Sequence, residues 1–236
     1  ASREDLYRGG LSEEFLGRLK EFVGLREGDI RIILSSFPMG GPASVGEAVG
    51  EGELHGMGVV GAKLRAAYPR FGIRVFLSSF LRLHDWRGCN LVLIGGPHTN
   101  RATRETLEQW GESLPFEFDA SGALLDRRSN ERYEFEWVKN ERGEEVPSDY
   151  GLVVRAPNPF RAERVVLIFA GCETFGCLAG ALTLQSEALL QELCHGGEGK
   201  AVAAIVRGGW HHRLHVWPSE LELVAAPVAF DGHAIA

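Results

Sequence analysis

Val165-Val166-Leu167-Ile168-Phe169 runs directly into Ala170-Gly171-Cys172-Glu173-Thr174-Phe175-Gly176. The apolar run, rich in β-branched residues, reads as a strand buried on both faces, and the small residues after it read as a tight turn into a helix. Strand, small-residue turn and helix form the repeating unit of an open α/β sheet. The unit recurs on both sides of this stretch. Ile30–Leu34 ends in Ser35-Ser36, Ile73–Leu77 in Ser78-Ser79, Leu91–Ile94 in Gly95-Gly96, and Ala201–Val206 in Arg207-Gly208-Gly209. Helices are predicted over Leu11–Val23, with Ser12 as N-cap, and over Val59–Tyr68, Arg101–Trp110 and Gly176–Leu193. The expected class is therefore α/β and Rossmann-like, a mostly parallel sheet flanked by helices.

From Phe116 the period changes to two. Phe116/Phe118 and Tyr133/Phe135/Trp137 alternate with glutamates, Asn140-Glu141-Arg142-Gly143 signals a turn, and Leu152-Val153-Val154 follows as another strand. Residues 115–160 are expected to form an antiparallel β-hairpin insertion within a single domain spanning 1–236. Leu214–Val216 and Leu221–Val224 are expected as edge strands. The chain begins Ala1-Ser2-Arg3, without Met, which reads as processing or as excision from a longer protein.

Composition excludes several classes. Hydrophobic residues make up 44% and charged residues 24% of 236, ordinary globular values, and no apolar run is long enough to span a bilayer. The net charge of −7 disfavours nucleic acid as partner. Four scattered cysteines are too few for a disulfide scaffold, and no apolar signal segment opens the chain, so a cytoplasmic location is expected.

Ligands of open α/β sheets bind outside the carboxyl ends of the strands. Small residues there let backbone N–H groups approach a ligand, and the helix that follows offers a partly positive N-terminus. The expected ligand contacts are Ser35, Ser36, Gly95, Gly96, Thr99, Asn100, Thr103, Gly171, Thr174 and Gly208. The expected partner is a small anionic or nucleotide-type molecule, bound by a sensor or a hydrolase. Homo-oligomers and a partner domain are further candidates. GxxxxGK[ST] is absent, and Gly56-Met57-Gly58-Val59-Val60-Gly61, which has the GxGxxG spacing, does not directly follow a predicted strand, so no dinucleotide cofactor is expected.

Cys172, on a strand-to-helix turn, has the setting of a nucleophile. Gly171-Cys172-Glu173-Thr174 resembles the Ala-Cys-Glu-Thr stretch of CHAT peptidases in the caspase-like group, with Gly171 where that family has alanine. The following helix and the strand Ala201–Val206, running into Trp210, also resemble that family. The resemblance implies Cys172 as nucleophile and His98 as base, although Thr99 follows the histidine where the family has glycine. In broad architecture the chain also looks similar to TIR-like and LOG-like nucleotide-processing domains. That likeness implies a catalytic glutamate near the sheet's carboxyl edge, for which Glu173 is the candidate and Glu105 a weaker one.

Three further features invite function. His211, His212 and His215 suggest a metal, but no carboxylate context supports one, and no metal is expected. Pro157 and Pro159 stiffen a loop that would carry Asn158 and Arg161 toward an anion. Pro38–Gly58 holds seven glycines and carries a large ordering entropy. It reads either as a lid that uses Glu47, Glu51, Glu53 or His55, or as a loop packed permanently on the sheet.

Overall fold

Apolar side chains on the central strands alternate between two cores, and this alternation organises the computed structural model of the chain. The structure describes residues 11–38, 47–81, 86–197, 201–210 and 217–233. In strand β1 (Ile30–Leu34), Ile30, Ile32 and Leu34 point to one core and Ile33 to the other. Strand β5 (Asn90–Ile94) sends Val92 and Ile94 one way and Leu91 and Leu93 the other. Strand β11 (Arg161–Gly171) divides Leu167 and Phe169 from Val166, Ile168 and Ala170 in the same way. A sheet buried on both faces requires such runs of apolar residues.

The main sheet has the order β13-β12-β10-β11-β5-β1-β4. Strands β4 (Ile73–Leu77), β1, β5 and β11 are mutually parallel, and β12 (Ala201–Gly209) runs with them. β10 (Glu145–Asn158) lies antiparallel between β11 and β12, and β13 (Glu220–Phe230) is antiparallel to β12 at the edge. Helices α1 (Glu13–Val23), α2 (Glu51–Ala67), α4 (Thr174–Leu182) and α5 (Glu187–Gly197) contribute to the first core. Helix α3 (Arg101–Trp110) covers the second, together with a small sheet of β6 (Phe116–Phe118), β7 (Leu124–Asp126) and β8 (Glu131–Tyr133). A two-stranded pair, β2 (Phe37–Pro38) with β3 (Glu47–Ala48), completes the described strands, along with β9 below. The chain is thus a mixed α/β protein with a mostly parallel central sheet flanked by helices, and among the described residues no helix is long and apolar enough to cross a membrane.

Three expectations need correction. Residues 115–160 are not one hairpin insertion: β6–β8 form the small sheet, whereas β10 is a 14-residue strand at the centre of the main one. β9 (Glu136–Lys139) pairs with the first residues of β10, beyond the end of β11. The expected helix 176–193 is two helices, broken at Thr183–Gln185, because the Ser186 hydroxyl accepts from Leu189 N–H (3.3 Å) and starts α5. Residues 51–58 are helix, not loop, so that part of the expected lid does not exist. Leu221–Val224 falls within β13, and residues 39–46 and Leu214–Val216 lie outside the described residues.

Candidate functional site

The carboxyl ends of β1, β5 and β11 interlock. Ser35 N–H donates to Ile94 O (3.1 Å), and Gly95 N–H donates to Phe169 O (3.0 Å). Gly95 has φ +122°, a conformation that favours glycine, and a Cβ there would overlap the Ser35 hydroxyl. Thr99, on the exposed loop after β5, donates its hydroxyl to Ser35 Oγ (3.0 Å). Ser35 in turn lies against Glu53, whose Oε1 is 3.2 Å from the same Cβ position on Gly95, and hydrogen bonding from Ser35 acts to lower the Glu53 pKa.

Glu53 stands in the first turn of α2, and its N–H donates to the Thr174 hydroxyl (3.2 Å) at the start of α4. Gly50 and Gly52 lie so close to Thr174 that a side chain on either would collide with it. Two helix N-termini therefore meet over the strand ends, with a carboxyl between them. Glu53 is only 5% exposed, and its Oε2 has no hydrogen-bond partner among the described residues. Burial pushes its pKa up to about 7, against the lowering effect of the Ser35 donors.

A second buried carboxyl holds α4 itself. Asp149, on β10, accepts from Tyr150 N–H (2.8 Å), Glu173 N–H (3.3 Å) and Gly176 N–H. It replaces the cap that Glu173, the N-cap residue by position, does not supply from its own side chain. Burial raises Asp149 to about 7, against its backbone donors. Two N–H groups at the start of α4, those of Glu173 and Gly176, are therefore taken by a carboxylate of the same chain, which sits where an anion was expected. At the start of α3, Asn100 Oδ1 accepts from Ala102 and Thr103 N–H, and its amide donates to Ile33 O and Ile94 O (both 3.1 Å). Thr103 donates to Gly95 O (3.0 Å), and both residues are fully buried.

The expected contact residues thus separate. Ser35, Gly95, Thr99 and Thr174 gather around Glu53, while Asn100 and Thr103 build the turn beneath them. Ser36 accepts from Ser79 N–H (3.1 Å). A Cβ on Gly96 would sit 3.1 Å from Gly171 O, Gly171 is crowded by the backbone of Glu173 and Cys177, and Gly208 is packed against Ala179 and Trp210. At each of these glycines a neighbouring protein atom lies where a side chain would stand.

Cys172 and His98 are not brought into contact. The Cys172 thiol donates to Tyr133 O (3.4 Å), and burial, with the Asp149 charge next, pushes its pKa up to about 12. A reactive cysteine needs the reverse shift. His98 Nε2 lies 3.2 Å from Asp119 O, and since a carbonyl only accepts, that nitrogen carries the proton. Gly122 stands between the pair: a Cβ on it would be 3.7 Å from Cys172 O and 3.8 Å from His98 Cδ2. Glu173 is exposed at the start of α4, and Glu105 is paired with Arg87 (2.8 Å) and Arg101 (2.6 Å).

Asn158 is also structural. It lies at the opposite edge of the sheet, donating to Arg87 O (2.9 Å) and Cys89 O (2.8 Å), and Arg161 beside it faces Glu163 (3.6 Å). His211, His212 and His215 lie outside the described residues, and among the described ones no group of three His, Cys, Asp or Glu could hold a metal ion. Two cavities flank the strand ends. One, of about 570 Å³, lies at the end of β12 between Val138, Val146, Arg207 and Trp210. The other, of about 380 Å³, lies between α3 and β6, with Pro97 and His98 on its rim.

Sequence reading named Glu53 only as a contact from a lid and did not name Asp149. The signal for Glu53 was an acid set among Gly50, Gly52 and Gly56, a pattern that fits a helix start pressed against another backbone. No protein-family model matches this chain, and neither a curated protein nor a solved structure matches it.

Proposed function

We propose that the chain binds a small nucleotide-type ligand at the carboxyl edge of a Rossmann-like sheet, and that Glu53 receives its sugar hydroxyls. The observation that carries this reading is the buried Glu53 oxygen with no partner among the described residues. An unsatisfied buried acceptor costs about 1–3 kcal/mol, and native proteins tolerate few of them. A donated hydroxyl relieves that cost, whereas a phosphate anion beside the same carboxylate does not. The hydroxyl row from exposed Thr99 through Ser35 to Glu53 supplies a polar route inward from the surface. A carboxyl poised near neutral pH also suits proton transfer, so the same site serves a sensor or an N-glycosidic hydrolase.

Isothermal titration against NAD, cyclic dinucleotides and mononucleotides tests the reading, and product analysis of the bound ligand separates sensor from hydrolase. At least one should bind, and Glu53→Gln should weaken it tenfold or more. No binding to the folded protein, or unchanged affinity in the variant, would overturn it. The peptidase reading gains no support from the positions of Cys172 and His98. A second reading, an interaction module, is favoured by Trp137 on β9, which is 52% exposed and packs edge-on against Phe135. Light scattering after size exclusion should then show self-association that Trp137→Ser abolishes, and a monomer at every concentration would exclude self-association through Trp137.

A further inference from the structure

The 380 Å³ cavity between α3 and β6 lies outside the Glu53 site and has a chemistry of its own. Its apolar walls are Leu107 and Phe118, both partly exposed, backed by the buried Leu114 and Phe116. Its volume lies in the range that holds small organic ligands. Two guanidiniums line it, and they differ. Arg127 is paired with Glu117 at 2.5 Å. Arg104 makes one long hydrogen bond, from Nη1 to Pro97 O at 3.5 Å, and forms no ion pair among the described residues. Glu108, one turn further along α3, faces the same cavity.

We propose that this cavity binds a small monocarboxylate with an apolar, preferably flat, body, the body resting on Leu107 and Phe118 and the carboxylate pairing with Arg104. A planar carboxylate suits the fork of a guanidinium that is not already engaged. The Phe118 side chain favours a ring that stacks on it or meets it edge-on. Glu108 makes the site selective, because it opposes a second negative charge and so discriminates against phosphate dianions. Nothing in this assignment depends on the Glu53 site.

A two-dimensional ¹H–¹⁵N NMR titration with phenylacetate, phenylacetamide and phenyl phosphate tests the assignment on the intact chain. Phenylacetate should give saturable shifts at Arg104, Leu107 and Phe118, and the neutral amide should bind at least tenfold more weakly. Arg104→Gln should weaken phenylacetate about tenfold, and Glu108→Gln should tighten it severalfold. Both side chains are exposed, so both variants should melt as the parent does. Glu53→Gln should leave this titration unchanged, which keeps the outcome separate from that of the nucleotide site. Equal binding of acid and amide, shifts confined to other residues, tighter binding of phenyl phosphate, or an unaltered Arg104→Gln variant would each overturn the assignment.

Discussion

Glu53 and Asp149 place two carboxyls, each raised to about 7, beside the first turn of α4. In the unfolded chain they titrate near 4.5 and 3.8, so between those values and 7 the folded protein holds more protons than the unfolded one. The stability they contribute is complete in acid and is lost as pH rises through 7. Glu105 and Asp126 have the opposite sign: burial acts to raise Glu105, but Arg87 and Arg101 hold it low overall, and Arg128 holds Asp126 low. Their contribution is lost as pH falls below the ordinary carboxylate range. The melting temperature should therefore be higher at pH 5.5 than at pH 8.5. Glu53→Gln mimics the protonated form and should stabilise the protein at pH 8.5 by up to about 3 kcal/mol, with little effect at pH 5. A melting temperature that rises from pH 5.5 to 8.5, or a variant that destabilises equally at both, would contradict the buried-carboxyl account. The thiols lead to a second expectation: with Cys172 pushed to about 12 and Cys194 to about 11, iodoacetamide at pH 8 should modify Cys172 no faster than Cys194. Rapid, selective alkylation of Cys172 would restore it as a nucleophile.

Among the elements, those whose local signals agreed with their burial were legible in the sequence. Ile30–Leu34 and Ile73–Leu77 are strands with the expected limits, Arg101–Trp110 is the expected helix, and Ser12 caps α1 through Phe15 N–H (3.0 Å). β10 was legible only over Leu152–Val154, because its first half carries Glu145, Pro147 and Asp149 and reads as exposed hairpin, although Asp149 is buried as a cap for another element. Residues 51–58 were misread for a related reason. Glycine lowers helix propensity, but Gly52 and Gly56 are the points where α2 touches Thr174 and Ala181, and tertiary packing outweighs propensity there. β10 and α4 touch in the same manner. A Cβ on Gly151 would overlap the Gly176 carbonyl and lie 3.2 Å from Gly180 N, both backbone atoms that cannot rotate away. Gly151→Ala should cost about 3 kcal/mol or more in urea unfolding. Gly17→Ala, in a helix interior with nothing within 4 Å, should instead stabilise by roughly 0.5–1 kcal/mol. A Gly151→Ala chain as stable as the parent would mean that α4 can move off the sheet at no cost.

At the scale of the whole molecule, the carboxyl ends of the strands were legible, and what packs against them was not. Strand ends rich in serine and glycine marked where β1, β5, β11 and β12 stop, but periodicity does not report which small residues admit a ligand and which admit protein. Gly95 is occupied by Ser35, brought beside it by the sheet order, and Gly171 by Glu173 and Cys177 of its own turn into α4. The same closure bears on the expected lid. α2 is locked to α4 through Glu53 and Thr174, and Val60 and Leu64 are wholly buried in the first core. By contrast β8 and β9 present mostly exposed residues, and β9 is joined to the main sheet along β10 alone. Opening free energies should follow this division. In the ligand-free protein, amides of residues 54–67 should exchange as slowly as those of β5 and β11, and residues 131–139 should exchange orders of magnitude faster. Fast exchange along α2, slowed by the nucleotide-type ligand that binds, would show that the helix itself opens over Glu53 and would restore the lid with α2 as its moving part.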